Sequence, residues 1–149
     1  MQEKQFDIKQ IEKMPKEKCF ICKRQIADQD IIYEDKNMIA FLDLYPPTKG
    51  YTILAVKKHI EDISELSEKE YLEIQKILFK ISEAIKSAYH PKRICLLNSG
   101  GLLTHWHFHI IPMYKEVYNN FIDVILKKSV LEISEKERKE IASEIKKRL

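Results

Sequence analysis

Residues 104 to 114 read THWHFHIIPMY, with histidine at 105, 107 and 109 and apolar residues between and after them. Few patterns constrain a fold as tightly. In an extended strand alternate side chains share a face, so His105, His107 and His109 project together while Trp106, Phe108 and Ile110 point behind them. The strand needs a hydrophobic layer against its back and a working surface in front. Packing on one side then holds the imidazoles on the other in position. The chain has five histidines, and three of them stand in this run. A plain polar strand face is the alternative, and the surroundings of the run decide between the two.

Those surroundings read as more strands and one long helix. "IIYED" and "NMIAFLDL" are rich in Ile, Tyr and Phe and meet at Asp35-Lys36-Asn37, which predicts a β-hairpin. "YPPTKG" is a loop, because Pro46 and Pro47 cannot donate to a strand ladder, and Gly50 permits an unusual backbone angle before the strand "YTILAVKKH". Ser67 and Glu70 form a capping box, and the apolar residues from Tyr71 to Ala88 recur at helical spacing until Pro91 stops the helix. "RICLLNS" reads as a buried strand and "GGLLT" as a turn into the histidine strand. Ser134 and Glu137 cap a final helix rich in Lys and Arg. The result is an α+β fold, an antiparallel sheet crossed by a long helix, with a helical arm at each end. The expected organisation is an N-terminal arm over residues 1–17, a catalytic domain over 18–115 and a C-terminal extension over 116–149.

Composition narrows the class of protein. Hydrophobic residues make up 44% of the chain and charged residues 33%, enough for both a core and a solvated surface. No apolar stretch approaches the roughly 20 residues needed to cross a bilayer, and the N-terminal segment lacks a signal peptide's apolar region, so no membrane partner and a cytoplasmic location are expected. A net charge of +3, from 26 basic and 23 acidic residues, does not point to nucleic acid. Three cysteines fit reduced thiols or metal ligands better than a disulfide framework.

An imidazole can take a proton, ligate a metal or attack an electrophile, and the partner of its second nitrogen decides which. For attack on a phosphate the middle histidine is favoured. A fixed acceptor on Nδ1 leaves Nε2 as the nucleophile, and flanking groups can serve the phosphoryl oxygens. His107 is therefore the candidate nucleophile and His109 the candidate phosphate-binding group.

"HWHFHII" closely resembles the signature of the histidine triad family, His-φ-His-φ-His-φ-φ with φ apolar, at all seven positions. The resemblance runs from "CFIC" at 19 to "IPMY" at 114 and includes "NMIAFLDLYPPTKGYTILAVKKHI". It implies a five-stranded antiparallel sheet, a homodimer, and hydrolysis or nucleotidyl transfer that cleaves a small-molecule nucleotide at its α-phosphate through a covalent nucleotidyl-histidine intermediate. A dinucleoside polyphosphate or a nucleoside phosphoramidate is the expected substrate. By position, the family's nucleophile falls on His107, the phosphate-binding histidine on His109, the ribose-binding acid on Asp43, and the polar residue near phosphate and leaving group on Asn98. An acidic residue at a loop entrance serves equally as a cap, and Asn98 at a strand end equally as a turn former. Ile39, Phe41, Leu42 and Leu44 would line an apolar slot for the base, though residues of this kind at strand spacing are also ordinary core.

Cys19 and Cys22 form C-x2-C, which alone fits a redox pair as well as a metal site. A zinc site needs two further ligands, and His59 and His105 are the candidates. A zinc-bearing branch of the triad family places its ligands at positions equivalent to Cys19, Cys22, His59 and His105. Four protein ligands close the coordination sphere and make the zinc structural. The three histidines of the run would then divide the work: His105 for the metal, His107 for the covalent chemistry, His109 for the phosphate. His90 is expected at a helix end and Cys95 as small core filling. The chain departs from many triad proteins in carrying Gly100, Gly101, Leu102, Leu103 and Thr104 before the first histidine, in place of Gly-Gln and a hydroxyl residue. Backbone amides of Gly100 and Gly101 are the candidate phosphate ligands there. Met113 replaces an Arg common in relatives. The competing expectation is a non-catalytic, zinc-containing nucleotide-binding module.

Overall fold

The computed structural model describes residues 16–98, 104–114 and 121–149. The arm expected over residues 1–17 lies almost wholly outside the described residues, and so do Gly100 and Gly101.

Asp35 builds the first turn. Its Oδ1 accepts the amides of Asn37 and Met38, both at 2.7 Å, and reverses the chain between β1 (Ile31–Glu34) and β2 (Met38–Leu42). Gly50 takes φ +87° to bring the proline loop into β3 (Thr52–Val56). The Ser67/Glu70 capping box opens helix α1 (Glu68–Tyr89), and His90 closes it in the left-handed conformation just ahead of Pro91. Then come β4 (Arg93–Leu97), β5 (His107–Met113), the short α2 (Phe121–Ile125) and α3 (Glu135–Lys146), the last capped by Ser134 and Glu137.

The five strands form one antiparallel sheet in the order β1-β2-β3-β5-β4. This is the α+β architecture expected. Strand alternation divides the interior into two layers. On one face Ala40, Leu42, Leu54, Val56, Trp106 and Ile110 meet Ile74, Leu78, Ile81 and Ile85 of α1 and Ile141, Ala142 and Ile145 of α3. Each buried Leu or Ile contributes about 1.5–3 kcal/mol by leaving water, so this layer fixes the backbone of β5. On the other face Ile39, Phe41, Ile53, Ala55, Ile111 and Met113 are covered by Cys19, Ile21 and Val124.

One expectation is corrected. β4 is not a buried strand: it pairs only with β5 and forms the sheet edge, leaving Arg93 and Leu96 exposed and Cys95 half-buried. Its continuous apolar run carried no alternation to reveal the open side. No described helix is long and apolar enough to cross a membrane.

Candidate active site and metal cluster

The register of β3 against β5 sets Ala55 opposite His107 and Ile53 opposite His109, placing both rings on the face away from α1. His107 is buried, and its Nδ1 lies 2.5 Å from the carbonyl oxygen of His105. A carbonyl only accepts, so Nδ1 carries the hydrogen. Burial first, and only then opposed by the His105 carbonyl and the Asp43 charge, holds His107 below the usual histidine range. The ring is therefore neutral at physiological pH, with its lone pair on Nε2.

That assignment propagates. His107 Nε2 is 3.1 Å from His109 Nε2, so His109 must donate, and its own Nδ1 is left as an acceptor. The Tyr51 hydroxyl supplies the donor at 2.9 Å. Burial, reinforced by the Asp43 charge, raises the Tyr51 phenol and keeps it protonated. His109 is pushed down to about 3, by burial and then by His107, so it too is neutral. The result is one directed chain, from the Tyr51 hydroxyl through His109 and His107 to the His105 carbonyl. From the far side of the strand, Asn98 Nδ2 donates to the His107 carbonyl at 2.9 Å and ties the end of β4 to the start of β5.

Asp43 follows β2 and is buried beside this chain. Its Oδ1 accepts the Tyr45 amide at 2.8 Å, and Lys127 Nζ lies 2.7 Å from both carboxylate oxygens. Phe41 is buried on the same face as the histidines. Leu42 corrects the expected apolar slot. One residue on from Phe41 in the strand, it faces the opposite layer and packs under α1 and α3. Leu44 lies past the end of β2 and is 55% exposed.

The metal-ligand candidates converge from three separate stretches. A tight turn, with the Lys23 and Gln25 amides bonded to the Cys19 and Phe20 carbonyls, presents both thiols. His59 follows β3, and His105 sits in the bend before β5. Cys19 Sγ is 3.3 Å and Cys22 Sγ 3.4 Å from His105 Nδ1, and Cys22 Sγ is 3.2 Å from His59 Nδ1. His105 Nε2 lies 2.6 Å from the Val56 carbonyl, so the hydrogen is on Nε2 and the Nδ1 lone pair faces the sulfurs. All four ligand atoms lie within 4.8 Å of one another. Tetrahedral zinc with two sulfur and two nitrogen ligands sets them roughly 3.3–3.8 Å apart, close to the 3.2–3.4 Å found for three of the pairs, and two thiols with two imidazoles are donor types that zinc takes. These four residues can hold a metal ion.

Three residues that matter here were not read from the sequence. Tyr51 alternates with Ile53 and Ala55, but only the strand register shows that this face meets the histidines. Arg138 stands on the apolar stripe of α3 with Ile141, Ala142 and Ile145, a placement that signals a buried partner. Lys127 lies in an unpatterned stretch and carried no signal at all.

Comparison with known proteins gives consistent matches. The HIT domain family matches residues 24–116. Protein hit of Bacillus subtilis is 36% identical over 107 residues, covering 66% of this chain and 72% of that one. The adenosine 5'-monophosphoramidase of Schizosaccharomyces pombe is 32% identical over 109 residues, covering 67% and 77%. Among solved structures, a histidine triad nucleotide-binding protein from Sulfolobus tokodaii superposes with a TM-score of 0.70 at 28% identity, covering 87% of this chain and 91% of that one.

Proposed function

This chain belongs to the histidine triad family, and from that premise we propose that it cleaves nucleotides at the α-phosphate, with His107 as nucleophile. The observation that carries the reading is the hydrogen bond from His107 Nδ1 to the His105 carbonyl, which fixes the lone pair on Nε2. Nε2 attacks the α-phosphorus and the P–Nε2 bond forms. The bond to the leaving group breaks, and the leaving group departs with the electron pair and takes up a proton. Water then attacks the same phosphorus and gives up a proton, which balances the one taken by the leaving group, while the P–Nε2 bond breaks and its pair returns to Nε2, releasing a nucleoside monophosphate. His109 Nε2–H, which lies against His107 Nε2 at rest, turns to a phosphoryl oxygen as charge builds there. Asn98 acts through the strand, holding the His107 carbonyl.

Asp43 is the acceptor for the ribose hydroxyls, and Phe41 is part of the wall met by the base, with Leu44 at its rim. A nucleoside phosphoramidate is the favoured substrate class, since a relative at 32% identity is named for that activity. A dinucleoside polyphosphate satisfies the same chemistry. Cys19, Cys22, His59 and His105 would hold a zinc ion, whose role would be structural, since four protein ligands would leave no position for water. Bound there, it would tie the N-terminal turn to the bend that supplies the His105 carbonyl. The protein acts in the cytoplasm as a homodimer, for which the open β4 edge with its exposed Leu96 offers a surface.

The test is turnover of adenosine 5'-phosphoramidate and diadenosine polyphosphates by the wild type and His107→Asn. Activity should be lost in the variant, and wild type quenched with denaturant at alkaline pH, where a P–N bond to histidine survives, should carry a nucleotide on His107. Normal turnover by His107→Asn would refute the mechanism. Nucleotide binding by the wild type with no product over hours would leave a binding module instead.

A further inference from the structure

Asp43 is engaged from within the chain, by a residue outside the matched domain. Lys127 closes α2 at φ +51°, a left-handed conformation that ends the helix and re-aims the side chain. Its amide bonds the Val124 carbonyl at 3.1 Å, while Val124 is buried in the layer that contains Phe41, Tyr51 and Ile53. A few residues on, the Leu131 amide bonds the Pro46 carbonyl at 2.9 Å, so the stretch is fastened to the site face on both sides of Lys127. The Lys127 side chain is 15% exposed, and its ammonium lies 5.3 Å from the centre of the Tyr51 ring.

A carboxylate has about four acceptor positions. At Asp43 the Tyr45 amide and two contacts from Lys127 fill three of them. A vicinal diol donating two hydrogen bonds to this carboxylate finds room for one. We infer that Lys127 is an internal occupant of the ribose subsite, which the sugar hydroxyls must displace, and that it thereby sets how strongly the site distinguishes ribose from deoxyribose. The inference rests on the reading of Asp43 as the diol acceptor. While Lys127 holds the carboxylate, a 2'-hydroxyl gains little. Once Lys127 is removed, the same hydroxyl gains a charged, buried acceptor.

Calorimetry on the full chain with AMP, GMP and UMP and their 2'-deoxy counterparts decides the matter. Lys127→Met keeps the stem and its packing but removes the charge. Loss of a nearby cation weakens phosphate binding equally for both sugars, so the informative quantity is the ribo-to-deoxy ratio of affinities. It should widen about tenfold in Lys127→Met, the scale of one hydrogen bond to a charged group. Lys127→Arg, whose fork grips a carboxylate on two points, should narrow it. The arginine variant alone decides if the methionine variant does not fold. A ratio unmoved in Lys127→Met or Lys127→Arg, or shifted in the opposite sense, overturns the inference and leaves the nucleotide reading standing. Absence of binding by every nucleotide to wild type and variants overturns both.

Discussion

Arg138 and Asp30 stand 108 positions apart and form a buried two-point ion pair, Nε to Oδ1 at 3.0 Å and Nη2 to Oδ2 at 3.1 Å. The same Nη2 donates to the carbonyls of Leu42 and Asp43 at 3.2 and 3.0 Å. Helix α3 thus reaches through the main core and holds the backbone on which Asp43 is mounted. Arg138→Met should destabilise the protein by about 3–5 kcal/mol, because it leaves a buried carboxylate unpaired. Removing both partners, in Arg138→Met with Asp30→Leu, should recover much of the loss. Urea denaturation of the four proteins in the cycle checks this, and equal losses in the single and double variants would refute it.

The metal cluster gives a separate expectation. Purified wild type should hold about one zinc per chain, and Cys19→Ser or His59→Ala should hold far less, as measured by elemental analysis. Only wild type should gain stability from added zinc, by about 2.7 kcal/mol when free metal is a hundred times its dissociation constant. Equal zinc content in the variants would remove these residues as ligands.

The sequence made some of this legible and not the rest, for physical reasons. The capping boxes at Ser67 and Ser134 and the turn at Asp35 are local, because each is satisfied within three residues, and each stands where its motif predicted. The two faces of the histidine strand follow from alternation, and the same alternation sets Leu42, one residue on from Phe41, in the opposite layer, which its apolar type alone does not reveal. The exposure of β4 was hidden, since an edge is a property of strand order. Contacts such as Lys127 with Asp43, 84 residues apart, depend on how the chain returns after β5, and no local pattern encodes that.

His109 ties folding to pH. Its value near 3 in the folded protein lies below the unfolded value of 6.5, with burial the main cause. The unfolded chain therefore binds more protons between these limits, and stability is fully present above about pH 6.5 and lost as pH falls toward 3. Replacing His109 with Asn removes one titrating group. Between pH 4 and 6 the slope of unfolding free energy against pH should flatten by about 1.4 kcal/mol per unit, the value for one proton. Urea titrations of both proteins in one zinc-buffered series measure the difference, and parallel slopes would show that His109 titrates normally.

Tyr51 is the origin of the hydrogen-bond chain, and its removal tests the direction of that chain. With the phenol present, His109 Nδ1 is an acceptor and its hydrogen sits on Nε2, facing His107. Tyr51→Phe keeps the ring and its edge contact with His109, centroids 5.8 Å apart, but leaves a buried acceptor without a donor. That should lower stability by about 1–3 kcal/mol. Once the phenol is gone, only the His107 Nε2 lone pair still favours the hydrogen on His109 Nε2, and the ring is freer to mix tautomers. Nitrogen-15 spectra of the labelled imidazoles should show wild-type His109 as the Nε2–H form and His107 as the Nδ1–H form. In Tyr51→Phe the His109 signals should move toward averaged positions while His107, held by the His105 carbonyl, stays put. A lower kcat with little change in KM should accompany the shift, since the phosphate loses a fixed donor only as charge develops. If His109 keeps its tautomer in the variant, the order along the chain is set from the His107 end and Tyr51 serves packing alone.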